Sequence, residues 1–568
     1  MVLDMLLHNF RTCLPWVDPA KADAHRALGV MGDRIVGLDD DVRALRATTV
    51  VDCRGAYLSP GFGDAHNHMG WFGLSLAEVD LSGCRSLSEV HDQVAARANL
   101  LPADAWVIGA GYDHSVLGSH PDRDSLDRAG GGRPVWLKHR SGHLCVVSSV
   151  ILDRAGVLTG DEPVPEGGSV VREANGRATG VLRENAQELV TRQRGPVPLD
   201  ELVDAISAAS RVYAAQGLTH VVECGIGGGL VGRSPLEALA YQIAQEEGRL
   251  DVRVDLMPAA DILRSFDGED VATLDLGLRT GFGDDQLRLG PVKVWLDGSL
   301  LGRTAAVSEP YCDGSGDTGS LMGEPEVLRG HLVQAHRAGW RLAMHAIGDR
   351  AIDLALDVVE EAQRVHPRRD VRHRIEHAAL VRPDQLSRIS AAGIVPVPQP
   401  RFLYDIGDDM FAAVGPDRSH WLYRHASFLA EGVRVPGSSD RPVAEGAPLL
   451  GMQSMVERMS ASGRQIGSGE VVDGSAALKA YTEDEAWTCH DEHRRGGLAR
   501  GMLADFVLLS DDPANVESSN IGRTDVLATV MGGRLTFVSD QLGAIAMEGA
   551  ARRATGSPGR PQAEQPDR

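Results

Sequence analysis

Six side chains carry the clearest chemical signal in the sequence: four imidazoles, one amine and one carboxylate. They belong to His66, His68, Lys293, His345, His377 and Asp440. Nitrogen and oxygen donors without sulfur suit zinc, with manganese, iron or nickel as alternatives. A cation in such a set makes a water molecule more acidic, so that it becomes a nucleophile at neutral pH. The residue types therefore indicate a metal centre that activates water.

The first two histidines lie two residues apart in the segment GFGDAHNHMG, residues 61–70. Side chains at positions i and i+2 of a β-strand point to the same side, so His66 and His68 can bind one cation together. A single histidine at a strand end is more often a hydrogen-bonded structural residue. The pair gains weight from the order of the ligand types that follow it along the chain.

Lys293 lies in an apolar run, although only four of the 57 basic residues are lysines. An ammonium group would repel a cation, but burial next to positive charge favours the neutral amine. A neutral amine can capture carbon dioxide and form a carbamate, an anion able to bridge two metal ions. In the alternative interpretation, Lys293 pairs with Glu376 or Asp297, and Asp440 caps the helix that follows it.

Short apolar runs that end in polar residues recur eight times and carry these side chains. Their bounds are 57–68, 218–225, 252–260, 289–298, 341–349, 372–380, 393–400 and 433–440. Amphipathic stretches such as 199–217 and 351–365 lie between many of them. This alternation predicts parallel strands with crossover helices, and eight units fit an α/β fold of the (β/α)8 TIM-like barrel type better than an open doubly wound sheet. In such a barrel the carboxyl ends of the strands meet at one face, where distant residues form one site.

The spacing of the runs also predicts additions to the barrel. The first two runs are too far apart for one βα unit, and both chain ends contain short strand patterns that we expect to pair. The predicted domains are a small β-sandwich (1–57 plus 495–540), the barrel (58–70 plus 196–494), a large inserted lid subdomain after strand 1 (71–195) and a disordered tail (541–568).

Composition excludes several classes of function. The net charge of −22 argues against nucleic acid or an anionic membrane as partner. We find no apolar stretch long enough to span a membrane, and the N-terminus lacks the basic region of a signal peptide. The seven cysteines contain no C-x-x-C pair, which favours reduced thiols and a cytoplasmic location.

The combined motifs resemble the amidohydrolase superfamily, whose pattern is H-x-H followed by Lys, His, His and Asp on successive barrel strands. Within it, the chain is similar to amidohydrolase family 3, the YtcJ-like group. The matching segments are VKVWLDGSLLGRTAA (292–306), MHAIGDRAID (344–353), RIEHA (374–378), GSSDRPV (437–443) and GLARGMLADFVLLSDDP (497–513). Two departures are Met502, where the family commonly has lysine, and VVSSVIL in place of an NSxAL segment.

The resemblance implies a division of labour among the six residues. His66 and His68 would hold the more buried metal together with Asp440. The second metal would be held by His345 and His377, and carboxylated Lys293 would bridge the two. Asp440 would accept a proton from the activated water and pass it to the leaving nitrogen. Some members of the family work with one metal, so zinc is expected as one or two ions.

Four further residues are predicted to contact the substrate. The resemblance points to Asp113 and His143, both in the inserted segment. Arg303 closely follows the fourth run, and Trp71 follows the first as part of an apolar wall. The alternatives are solvated loop residues for the first pair, a loop salt bridge for Arg303 and plain packing for Trp71.

The sequence thus predicts a metal-dependent hydrolase of a small-molecule carbon–nitrogen bond, since N-substituted formamides and N-acyl amines are the typical substrates of the family. The same ligands also suit hydrolysis of a cyclic amide, a carbamate, an ester or a lactone, or deamination of a ring. A catalytically inactive scaffold is the non-enzymatic alternative. We expect a homodimer, because dimers are common among such barrels.

Overall fold

The computed structural model describes residues 2–13, 26–140, 144–158, 164–165, 168–266 and 268–543. The chain divides into two compact units, one formed by Met1–Phe72 with Ile206–Arg568 and the other by Gly73–Ala205. The six predicted metal ligands all belong to the first unit. The predicted inserted subdomain, 71–195, overlaps most of the second unit.

Two four-stranded parallel sheets in the first unit carry the candidate site. One contains Leu287–Leu289, Arg253–Pro258, Leu218–Ile226 and Phe62–Asn67, in that order. The other contains Val292–Trp295, Leu342–Ala346, Arg374–His377 and Val395–Val397. Seven of the eight runs identified in the sequence therefore contain a strand.

The eighth run, residues 433–440, forms no regular strand but lies beside the strand Phe62–Asn67 of the first run. Ala65 N donates a hydrogen bond to Gly437 O at 3.0 Å, and Asp440 N donates to His66 O at 2.7 Å. Pro436 has no N–H to contribute to a ladder, and Asp440 has a left-handed φ of 57°. An isolated parallel bridge between Ala259 and Lys293 links the two sheets on the other side. The described strands do not form one continuous ring, so closure of the barrel stays a prediction.

Helices pack against these sheets through one apolar face. In the helix Asp349–Val365 the buried residues include Ile352, Leu356 and Val359, which recur at intervals of four and three. This period places them on one side of the helix, and they share a core cluster with the strand residues Met344 and Ile375. Burial of this face holds the strands that carry the candidate ligands.

Strands from both chain ends share one eight-stranded sheet. It contains Val2–Thr12, Arg26–Met31, Arg34–Leu38, Arg46–Asp52, Tyr57–Pro60, Phe506–Leu509, Val526–Met531 and Arg534–Val538. Tyr57–Pro60 pairs antiparallel with Phe506–Leu509. Directly after this pairing, Gly61 N donates to Asp505 O at 3.0 Å, so the C-terminal segment holds the start of the strand that carries His66.

The second unit has its own sheet. Its strands are Val79–Asp80, Val107–Tyr112, Val135–His139, Leu144–Val147, Ser169–Arg172 and Ala178–Arg183. Its helices are Leu87–Leu100, His114–Leu117, Arg123–Ala129, Ser149–Arg154 and Glu188–Arg194. The helices Met69–Ser75 and Leu199–Ala215 cross the boundaries between the units.

The remaining helices and strands belong to the first unit. The helices are Glu237–Glu246, Pro325–Arg337, Pro383–Ala391, Phe402–Asp405, Gly407–Arg418, Ala426–Ala430, Pro448–Glu457, Gly474–Ala480, Glu483–Thr488, Ser518–Ile521 and Asp540–Gly543, and a small hairpin contains Arg264–Ser265 and Ala272–Thr273. No helix among the described residues has the length and apolar character needed to cross a membrane. The predicted disordered tail from 541 begins inside the helix Asp540–Gly543, and the rest of it lies outside the described residues.

Candidate metal centre

The strand geometry brings predicted ligands from distant parts of the chain to one place. His66, Lys293, His345 and His377 each lie in the second half of their strand or in its middle, and Asp440 closes the eighth run. Five of the six side chains are buried, and the side chain of His345 is 12% exposed. The shared burial indicates a single polar cluster enclosed by the protein.

Three ligand atoms, one each from His66, His377 and Asp440, all lie within 4.8 Å of one another. Asp440 Oδ1 lies 3.4 Å from His66 Nε2 and 2.9 Å from His68 Nε2. Lys293 Nζ lies 3.5 Å from His66 Nε2. Five of the six predicted residues therefore form one contact group, in which His68 reaches Asp440 and Lys293 reaches His66.

The sixth predicted ligand, His345, lies at the edge of this group. Its ring centroid is 4.4 Å from that of His377, but its Nε2 faces Gly298 O at 3.1 Å. The hydrogen bond to a carbonyl requires Nε2–H, which leaves the lone pair on Nδ1. His345 therefore offers Nδ1 as its donor atom.

Hydrogen bonds on the far side of two other imidazoles also select the tautomer. His66 Nδ1–H donates to Glu376 Oε2 at 2.5 Å, and His377 Nδ1–H donates to Gln399 Oε1 at 2.6 Å. When either ring is neutral, this tautomer places its lone pair on Nε2, the atom that can bind a cation. The donor set therefore fits a divalent metal ion.

The protonation states of His68, His345, His377 and Asp440 agree with this fit. Burial lowers the pKa of His345 to about 3, and it also lowers the pKa of His68 and His377. Burial alone would raise the pKa of Asp440, but the hydrogen bonds from His66 and His68 lower it well below its usual value. His68, His345 and His377 are thus neutral imidazoles beside one anionic carboxylate. Burial alone would lower the pKa of His66 as well, but Cys224, Glu376 and Asp440 raise it well above its usual value, so this ring must release a proton when it binds a metal ion.

Lys293 is 1% exposed and forms no ion pair with a carboxylate among the described residues. Its Nζ lies 5.4 Å from the ring centroid of Trp295 as well as near His66. The alternative pairing with Glu376 or Asp297 is absent from the described contacts.

Glu376 instead belongs to a buried relay behind His66. Arg374 donates to both carboxylate oxygens, from Nε at 2.7 Å and from Nη2 at 2.8 Å. Arg374, Glu376 and His66 are all 0% exposed. Burial alone would raise the pKa of Glu376, but Arg374 and His66 lower it strongly. The relay fixes the orientation of the His66 ring.

Asp64 connects the strand Phe62–Asn67 to the eighth run through hydrogen bonds. Its carboxylate accepts hydrogen bonds from Ser439 N at 3.0 Å, Ser439 Oγ at 2.5 Å and His66 N at 3.1 Å. These bonds set the position of Asp440 relative to His66. The carboxylate that precedes the H-x-H pair is therefore used for positioning.

Asp297 has a comparable role behind His345. It accepts backbone hydrogen bonds from Ala306 at 3.0 Å, Ile347 at 3.0 Å and Gly348 at 2.8 Å. These bonds hold the loop after the strand Val292–Trp295 against the turn that follows His345. Burial raises the pKa of Asp297 to about 7.

Two of the predicted substrate contacts lie in the first unit. The Trp71 ring centroid is 5.8 Å from that of His68, with the guanidinium of Arg233 4.9 Å from the Trp71 ring centroid. Arg303 contacts its own loop through Leu300 O and through Asp313 at 3.6 Å. The structure thus brings Trp71 to the cluster, and the described contacts of Arg303 stay within the loop.

The other two predicted contacts lie in the inserted segment. Asp113 caps the short helix His114–Leu117 and accepts a hydrogen bond from Ser115 N. His143 lies outside the described residues. Contact of either residue with a substrate stays a prediction.

Sequence reasoning did not assign the positioning roles of Glu376, Arg374, Asp64 and Gln399. A signal for Arg374 and Glu376 was available, because residues two positions apart share one face of a strand, and this short strand ends at the candidate ligand His377. Gln399 follows its strand by two residues, and nothing in its spacing indicates that it contacts His377. Ser439 and Asp64 are 375 positions apart in the sequence and meet only because the eighth run lies beside the strand Phe62–Asn67.

Comparison with known proteins gives consistent matches over most of the chain. A family model described as "Amidohydrolase family" matches residues 49–537. The putative amidohydrolase YtcJ of Bacillus subtilis (strain 168) is 30% identical over 86% of this chain and 90% of that protein. N-substituted formamide deformylase of Arthrobacter pascens is 27% identical over 91% of this chain and 96% of that protein.

A solved structure extends the comparison to three dimensions. An uncharacterized metal-dependent hydrolase from Pyrococcus furiosus is 27% identical, covers 90% of this chain and 100% of its own, and has a TM-score of 0.73. The likeness therefore spans both the strands that carry the candidate ligands and the segments around them.

Proposed function

This chain belongs to the amidohydrolase family, and from that premise we propose that it hydrolyses a carbon–nitrogen bond of a small molecule, an N-acyl or N-formyl amine. The family match and the likeness to the Pyrococcus furiosus hydrolase support a metal-dependent hydrolase with a TIM-barrel-like α/β fold. The observation that carries the proposal is the buried cluster of His66, His377 and Asp440 beside Lys293.

In this proposal, His66, His68 and Asp440 would hold one zinc ion. His345 and His377 would hold a second zinc ion, and the N-carboxylated side chain of Lys293 would supply an anionic ligand shared by the two ions. When bound, the metal lowers the pKa of a water molecule to near 7 and polarises the carbonyl group of the substrate.

Asp440 has the role of the proton carrier. Its Oδ1 accepts the proton of the attacking water and then delivers it to the nitrogen that leaves. Water and the amide are thereby converted to a carboxylic acid and an amine. The imidazoles of His68, at 2.9 Å, and His66, at 3.4 Å, keep Oδ1 directed at the cluster.

An apolar cavity of about 280 Å³ adjoins the strand that carries Lys293. Its lining includes Leu230, Trp295, Met322 and Leu328. Since the Trp295 ring centroid is 5.4 Å from Lys293 Nζ, the cavity supports a substrate with an apolar substituent next to the scissile bond. Burial of such a group supplies binding free energy of about 0.8 kcal/mol for each methylene.

The proposal is tested with the full chain loaded with zinc in the presence of bicarbonate. A panel of N-substituted formamides, N-acyl amines, a cyclic amide, a carbamate, a lactone and an aminoheterocycle is assayed for released amine, formate and ammonia. We expect release of amine with formate or another carboxylate, a higher kcat/KM with an apolar substituent, and loss of turnover in Asp440→Asn.

Ammonia released from the ring without amine, or turnover of the lactone alone, would contradict the assignment to amide bonds. A purified chain that binds no transition metal and turns over no compound after zinc and bicarbonate are added would indicate a scaffold.

A further inference from the structure

A second cluster of metal-ligating side chains lies in the second unit, within residues 112–140. Asp113, His114 and His139 each offer a ligand atom, and these atoms all lie within 4.8 Å of one another. His114 Nδ1 and His139 Nε2 are 3.0 Å apart, and Asp113 Oδ1 is 4.0 Å from His139 Nε2. None of the three is among the six ligands of the candidate centre in the first unit.

Strand pairing produces this cluster. The strands Val107–Tyr112 and Val135–His139 are parallel, and the register places Tyr112 opposite His139. The carboxyl ends of both strands therefore lie side by side, and Asp113 and His114 follow directly after the first. Parallel strands thus bring two consecutive residues to a histidine that is distant in sequence.

The chemistry of the two imidazoles favours a cation between them. Two nitrogens 3.0 Å apart cannot both carry a hydrogen, so at least one lone pair faces the gap. The carboxylate of Asp113 adds an anionic oxygen to the two nitrogen donors. Two imidazoles and one carboxylate are a donor set that suits zinc, cobalt, nickel or copper, with water completing the coordination.

Neighbouring residues hold the three ligands in place. Asp113 Oδ2 accepts a hydrogen bond from Arg140 Nη1 at 2.9 Å. The ring of His120 stacks on that of His114 at 4.1 Å between centroids, and Tyr112 Oη lies 3.2 Å from His120 Nδ1. Such outer contacts restrict the orientation of metal ligands and raise the affinity of the site.

We propose that Asp113, His114 and His139 form a divalent transition-metal site, with zinc as the expected ion, separate from the centre that carries the hydrolysis. The site depends only on residues of the second unit, so it does not require the proposed function to be correct. The competing interpretation is a simple hydrogen bond between two histidines.

The test measures bound zinc in the chelator-treated, dialysed full chain after zinc is returned. The double variant His66→Ala/His68→Ala disables the centre in the first unit and is expected to retain tight binding of one zinc ion per chain. In that background His139→Gln or His114→Gln should weaken this binding at least about tenfold. The matched control His91→Gln changes a histidine of the same unit outside the cluster and should change nothing.

Cobalt provides an independent readout that does not need the histidine variants of the second unit to fold. Cobalt(II) added to His66→Ala/His68→Ala should give the visible absorption of a low-symmetry nitrogen and oxygen site. Absence of this absorption together with no bound zinc would overturn the proposal. Equal zinc affinity in the presence and absence of His139→Gln, or equal loss with His91→Gln, would overturn it as well.

Discussion

The substitution Glu376→Gln tests whether the buried relay behind His66 holds the metal centre together. Glutamine has the size of glutamate but lacks its charge, and it has one acceptor oxygen where the carboxylate has two. In the native chain those oxygens accept two hydrogen bonds from Arg374 and one from His66, with all three residues 0% exposed. The variant therefore leaves the Arg374 guanidinium buried without its counterion.

The expected cost follows from this burial. Removal of one partner from a buried ion pair destabilises a protein by about 3–5 kcal/mol. We expect the lower end, because the glutamine oxygen can still accept from Arg374. The ring of His66 loses the charged acceptor that fixes its orientation, which should weaken metal binding about 10–100-fold.

Two measurements separate these effects. The midpoint of urea unfolding of the metal-free chain reports the loss of stability, and competition with a chromogenic chelator reports the affinity for zinc. The control Glu360→Gln removes a carboxylate from the half-exposed pair with Arg388, whose N–O distance is 3.0 Å, and should cost at most about 1 kcal/mol. If Glu376→Gln matches that control in the midpoint and the native chain in zinc affinity, the relay has no role in the metal centre.

Three further predictions concern other parts of the first unit. Lys293→Ala should lower the zinc content by about one ion per chain and abolish most turnover, because the variant lacks the amine of the proposed bridging carbamate. Metal analysis and the amine-release assay measure this, and full turnover would remove the carbamate from the mechanism. Gly229→Ala should displace Trp295, since an added Cβ would lie 2.2 Å from Trp295 Cζ3 and the φ of +64° is unfavourable for alanine. The tryptophan emission should shift, and the preference of the enzyme for substrates with apolar substituents should fall. Unchanged values would mean that Trp295 does not line the substrate cavity. Burial alone would raise the pKa of Glu485, but Arg495 and His220 lower it to about 2. The contribution of this carboxylate to stability is therefore complete above the unfolded pKa of about 4.3 and is lost as the pH falls through about 2. Glu485→Gln should flatten the dependence of the urea midpoint on pH in this window, and an unchanged dependence would contradict the assignment.

The ligands of the candidate centre were accessible to sequence reasoning because strand periodicity is local. His66 and His68 share a face through their spacing, and His345 and His377 lie in short apolar runs that do form strands. The same reasoning predicted the eighth run as a strand, where Pro436 and the left-handed Asp440 interrupt the ladder. Hydrogen bonding of that run to the first strand replaces the regular pairing.

The positioning residues were less accessible because their partners are set by three-dimensional proximity. Glu376 was considered as a partner of Lys293, yet the folded chain directs its carboxylate to His66 and Arg374. Both interpretations satisfy the sequence equally well. The three-dimensional arrangement of the neighbouring strands decides whether the buried carboxylate of Glu376 reaches Lys293 or His66.

The sheet shared by both chain ends has a consequence for biosynthesis. During translation Tyr57–Pro60 leaves the ribosome long before Phe506–Leu509, its antiparallel neighbour, has been made. Until then one edge of an apolar strand stays open and can pair with another nascent polypeptide. We therefore expect premature stop codons upstream of Phe506 to yield insoluble fragments, and chaperones to bind the growing chain until its last strands emerge.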